Sequence, residues 1–179
     1  MRVSRKRDGA VEVRLEEVEA AVLTSVATDL LELLGEAAAV DDDPLVAMVG
    51  LPSGPVDRPE DPALARLLPD AYGDDEQASA DFRRYTDGDL RAGKRAHAGA
   101  LLASLAPFAE GGRLMLDRAG QDAWLGCLND LRLVLGTRLD VDEDTELDAI
   151  SADPRQQALQ IYGWLGLVQE SLLEAMSRG

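Results

Sequence analysis

The stretch WLGCLNDLRLVLGTRL, Trp124 to Leu139, decides how the rest of the chain is read. Trp124, Cys127, Leu128, Leu131, Val134 and Leu135 recur at three- and four-residue spacing, which puts them on one stripe of an α-helix. A stripe this apolar has to be covered, so the sequence predicts a core helix from about Arg118 to Leu135, ended by Gly136. Asn129, Asp130 and Arg132 lie off the stripe. They are the polar candidates for a link to the last helix or to a neighbouring subunit.

Just upstream, GRLMLD (112–117) alternates Leu114 and Leu116 with Arg113 and Met115, the period of a strand. The N-terminus carries a matching signal. Val11, Val13 and Leu15 alternate after Asp8-Gly9, a dipeptide that tolerates the positive φ of a tight turn, so residues 1–15 read as a β-hairpin. A two-stranded hairpin alone is marginal in water. The segment near 112–117 is therefore expected to join it as a third strand, giving a mostly α fold in which a helical bundle packs on a small antiparallel sheet.

The other helices follow from period and caps. Val18, Val22, Val26, Leu30, Leu33 and Leu34 form a stripe from about Glu16 to Leu34, with Gly35 at the C-cap position. DPALARLLPDAY (61–72) reads as a short capped helix. Residues 74–106 read as two helices or one broken helix, with the break at Thr86-Asp87-Gly88-Asp89, where Thr86 and Asp89 have capping-box spacing. Asp153 and Pro154 open a last helix that runs to about Met176 on the stripe Ile161, Leu165, Val168, Leu172 and Met176. Its Gly163 and Gly166 lower helix propensity but let another helix approach closely. The Pro/Gly-punctuated residues from about 36 to 60, apolar only at Leu45–Leu51, are expected to be a flexible loop within one domain spanning 1–179. Leu15 onward and Leu116 onward also share a pattern of strand, acidic residue, helix, Asp-Leu and Leu-Gly, a weak internal similarity.

Charge narrows the function classes. The formal net charge is -16, with 34 acidic against 18 basic residues, which repels nucleic acid and anionic membrane except where cations are segregated. Two basic groups stand out. One is Arg2, Arg5, Lys6 and Arg7 on the hairpin, and the other is Arg83, Arg84, Arg91, Lys94 and Arg95 in the middle helices. These are the candidate DNA or phosphate contacts, weighed against ordinary surface ion pairs. With one cysteine, no apolar leader segment and no run long enough to span a bilayer, the chain reads as cytoplasmic and not membrane-bound.

No constellation supports an enzyme or a cofactor site. Cys127 is the candidate redox residue, but its place on the apolar stripe favours a core role, and Asp130 three residues on would raise its pKa. His97 is the only histidine, so neither a zinc set nor a Ser/His triad can be assembled, and a basic helix surface is its expected place. The run starting Asp140-x-Asp142-x-Asp144 fails as a calcium loop, having Thr145 in place of the glycine and Ser151 in place of the final glutamate. No phosphate-cradling glycine loop precedes a helix.

Taken together and in this order, LARLLPDAY (64–72), FRRYTDGDLRAGK (82–94), WLGCLNDLRLVLGTRL (124–139) and IYGWLGLVQESLLEAM (161–176) resemble an actinobacterial family of unknown function, DUF2017, which includes AosR-type oxidative-stress transcriptional regulators. The resemblance implies a cytoplasmic, non-enzymatic regulator acting through protein contacts, with a sigma factor or other transcription machinery as partner, and through DNA as a second candidate. Cys127 alone excludes a disulfide switch within one chain, leaving sulfenic oxidation or pairing between chains. The alternative is an adaptor or homo-oligomeric interaction module, for example a homodimer using the Gly-containing last helix, with no nucleic-acid binding.

Overall fold

In a computed structural model, which describes residues 1–35, 57–72, 75–147 and 152–177, the hairpin forms first in the chain. Strands β1 (Arg2–Arg5) and β2 (Val11–Leu15) pair antiparallel. Gly9 takes φ 85° in the turn, where the Lys6 N–H donates to the Ala10 carbonyl at 2.8 Å. β3 (Gly112–Leu116) adds antiparallel to β2, completing a sheet of order β1-β2-β3. Gly111 has φ 82°, and a Cβ there would lie 2.9 Å from both the Glu17 nitrogen and the Leu15 oxygen, so glycine is required where the chain enters β3.

Among the described residues the helices are α1 (Glu17–Leu34), α2 (Pro62–Leu67), α3 (Glu76–Leu105), α4 (Arg118–Arg138) and α5 (Pro154–Ser177), of which α4 and α5 pack most closely on the strands. A single-turn 3-10 helix, Ala106–Phe108, links α3 to β3. The fold is thus mostly α with a small antiparallel sheet. Val11, Val13, Leu114 and Leu116 from the strands join Leu23, Leu30, Leu101, Trp124, Cys127, Leu128, Leu165 and Leu172 in one core cluster. α4 lies against the other four helices or their neighbours and contributes the largest buried side chain, Trp124, whose Nε1 donates to Ser104 Oγ at 3.0 Å. The apolar segment Leu45–Leu51 and most of the loop expected at 36–60 lie outside the described residues.

Three expectations are corrected. First, α3 is unbroken through Thr86–Asp89. Thr86 Oγ1 bonds back to the Phe82 carbonyl at 2.9 Å and Arg91 Nε reaches Asp87 Oδ2 at 2.6 Å, one turn away, so these side chains support a continuing helix instead of capping a new one. Second, α4 continues past Gly136 to Arg138. Gly136 serves packing: a Cβ there would lie 3.3 Å from Tyr162 Cε2 of α5. Third, the buried stripe of α1 is Ala20, Leu23, Ala27, Leu30 and Leu34, while Val18 is 63% exposed. The small alanines admit close neighbours, and Val18 and Val22 turn toward a groove lined by Ile161 and Trp164 of α5.

Candidate functional site

Cys127 is fully buried in the core. Burial, aided by the nearby Asp130 charge, pushes its thiol up to about 12 from an ordinary value of 9.0. A thiol held protonated is a poor nucleophile and a poor oxidant target.

The cations of α3 are engaged inside the molecule. Arg91 donates to the Leu34 carbonyl at 2.9 Å, and Arg95 donates to the Leu31 carbonyl at 3.1 Å and to that of Gly35. Both therefore satisfy carbonyls that α1 leaves open at its C-terminus, where a positive charge also complements the helix dipole. Arg83 is buried against Asp70, and Arg84 lies 5.8 Å over the Tyr85 ring. Lys94 points into the helix interface and pairs with the buried Asp130 carboxylate at 2.7 Å. His97 sits between helices as well, packed where a Cβ on Gly126 would be 2.2 Å from its Nδ1, and not on an open basic surface.

The hairpin cations divide. Arg5 caps α5, donating to the Met176 carbonyl at 2.7 Å, whereas Arg2, Lys6 and Arg7 stay on the solvent side. Register brings two further arginines beside them. Arg2 pairs with Arg14, and Arg14 with Arg113, so one guanidinium from each strand stands in a single row across the sheet. The adjacent row, Val3, Val13 and Leu114, faces the core, so the arginine row faces outward, and all three arginines are exposed. Glu12 lies two rows along, on the same face, accepting from Lys6 at 3.0 Å and Arg14 at 3.1 Å; those two hydrogen bonds hold its carboxyl below the usual range. Among the described residues Arg2 and Arg113 have no carboxylate within 4.0 Å. Like charges directly opposite one another across strands destabilise a sheet; Glu12 answers Arg14, whereas among the described residues nothing in the fold's own stability accounts for Arg2 and Arg113 standing beside it. Alternation alone puts Arg14 and Arg113 on outer faces. The sequence signal that they join Arg2 is the strand register, which composition does not reveal.

The polar residues of α4 separate too. Asn129 is exposed. Asp130 faces α3, toward Lys94, and does not reach the last helix. Arg132 does, with Nη1 donating to Gln169 Oε1 at 2.8 Å and Nη2 to Tyr162 Oη at 3.4 Å, its guanidinium 5.2 Å over the Tyr162 ring. It borders an open cavity of about 420 Å³ lined also by Gly163, Gly166, Leu167, Glu170 and Leu173. Arg132 Nε is buried without a hydrogen-bond partner.

Among the described residues no helix is long and apolar enough to cross a membrane. The family model described as "Domain of unknown function (DUF2017)" matches residues 1–176. A Mycobacterium leprae protein bearing the designation AosR is 34% identical over 172 residues, 88% of this chain and 78% of that protein. Proteins of Mycobacterium bovis and Mycobacterium tuberculosis, each named oxidative stress regulator AosR, are 32% identical over 169 residues, 87% of this chain and 77% of theirs. No solved structure matches.

Proposed function

The chain belongs to the DUF2017 family, and from that premise we propose that it is a non-enzymatic regulator of a stress response that works by binding a partner through the outer face of its sheet. The observation that carries this is the exposed row Arg2, Arg14 and Arg113, flanked by Lys6, on a chain of net charge -16. Arginines whose Cβ atoms stand about 5 Å apart across paired strands suit a surface that presents several carboxylates or phosphates in succession. The partner we favour is an acidic segment of a protein. A duplex is a long rod whose phosphates would also face the acidic remainder of the molecule, whereas a short acidic segment need feel only charges within about 8 Å. The regulatory names of the mycobacterial relatives support the role. The buried Cys127 supports an input other than oxidation of this thiol.

The test replaces the native gene with one encoding Arg2→Glu, Arg14→Glu and Arg113→Glu together. All three side chains are exposed, so circular dichroism should be nearly unchanged and the melting temperature should fall only modestly, through loss of the Arg14–Glu12 pair. The expected outcome is that the variant fails to restore oxidant survival and the transcript response to a deletion strain. A folded triple variant that complements fully would remove this surface from the function. Parallel titration with duplex DNA at several salt concentrations separates the two partner classes, since phosphate contacts weaken steeply with salt.

A further inference from the structure

We propose that the side of α5 carrying Gly163, Gly166, Leu167, Glu170 and Leu173, together with Arg132 of α4, is a self-complementary surface on which a second copy of this chain docks about a twofold axis. These α5 residues recur at three- and four-residue spacing on the side opposite Leu165, Val168 and Leu172, which face the core. Leu167 is 64% exposed and Leu173 48%. Two large aliphatic side chains on one helix side, beside a cavity, are the kind of patch an interface covers.

The glycines point the same way. A Cβ on Gly163 would meet Leu147 at 3.6 Å and one on Gly166 would meet Arg132 Nε at 3.6 Å, both ordinary contact distances. Nothing among the described residues therefore demands glycine here, although each lowers helix stability by about 1 kcal/mol relative to alanine. What their missing side chains provide is a hollow into which another helix can settle.

Charge selects the occupant. Arg132 is held in place by Gln169 and Tyr162, but among the described residues it has no carboxylate partner. Glu170, exposed on the same cavity wall, has no cation partner among the described residues. In an isologous contact residue i of one copy meets residue j of the other and j meets i. Arg132 and Glu170 satisfy that condition: a twofold copy supplies each with its missing counter-charge twice over, while the leucines close across the glycines. A small carboxylate would neutralise Arg132 yet leave Leu167 and Leu173 in water and meet Glu170 as a like charge. The inference does not rest on the basic sheet face.

Sedimentation velocity on the full chain tests it. Wild type should shift with concentration, by about 100 µM, toward twice its 19.2 kDa mass. Glu170→Arg and Arg132→Glu should each weaken association at least about tenfold. Mixed in equal amounts, the two variants should reassociate, because the heterodimer restores opposite charge at both contacts. Leu167→Asp, on an exposed position, should also give monomer, which keeps the test informative if Arg132→Glu does not fold. A wild-type monomer throughout that range overturns the proposal. So does a dimer indifferent to Glu170→Arg and Leu167→Asp.

Discussion

At Cys127 burial and a neighbouring charge act in one direction, and the result is measurable. In the unfolded chain the thiol ionises near 9.0, whereas in the fold it is pushed up to about 12. Below the lower value both states carry the proton and the stability contribution is complete; as pH rises between the two, only the unfolded chain loses it, so stability falls, by up to about 1.4 kcal/mol per pH unit. Urea unfolding of wild type and Cys127→Ala at about pH 8 and about pH 10 should show the stability gap between them narrowing at the higher pH. A gap independent of pH would mean that the thiol is not shielded. Asp130 presents a different balance. The residue is 3% exposed and its carboxylate is answered by Lys94 at 2.7 Å, so Lys94→Met should destabilise by about 3–5 kcal/mol by stranding a buried charge, while Lys94→Met with Asp130→Asn should be milder than the sum of the single changes. A double-mutant cycle by chemical denaturation reads that coupling directly.

At the level of elements, the arginines of α3 show how helix ends are closed at a distance. α1 has no basic residue in its last turn, and the guanidiniums of Arg91 and Arg95 reach its open carbonyls from the neighbouring helix. Arg95→Ala should therefore lower stability by about 1–2 kcal/mol, and hydrogen exchange should rise first in the last turn of α1, ahead of any change in α3. Arg5 does the same for α5 from the hairpin. Gln121 ties the hairpin turn to α4, its buried Nε2 donating to the Gly9 carbonyl at 3.1 Å and that of Leu116 at 3.0 Å. The bonds made by Arg91, Arg95 and Arg5 are all distant in sequence, which is why the cationic cluster on α3 reads as a surface patch until the helices are placed. In the strands the opposite holds: alternation settles which side chains face water, and only pairing settles which of them stand together.

For the molecule as a whole, the weak similarity of Leu15 onward to Leu116 onward corresponds to a local twofold relation. β2 and β3 pair with Val13 opposite Leu114, and Val11–Leu116 and Leu15–Gly112 are the pairs that such an axis exchanges. The N-caps Glu16 and Asp117 and the starts of α1 and α4 fall at the same separation. The sequence by itself determined the element types, the antiparallel hairpin with its third strand and the core stripe of α4. Each of these rests on period, turn chemistry or residue type within a short window. Only the tertiary structure decided which cations are engaged inside the fold and which stand exposed. An arginine or lysine can close a helix end, answer a buried carboxylate or stand in water, and the choice depends on atoms distant in sequence: Leu34 for Arg91, Asp130 for Lys94, Arg14 and Arg113 for Arg2. The phase of α1 was settled in the same way, because Ala20 and Ala27 are buried by the close approach of their neighbours, not by their own hydrophobicity.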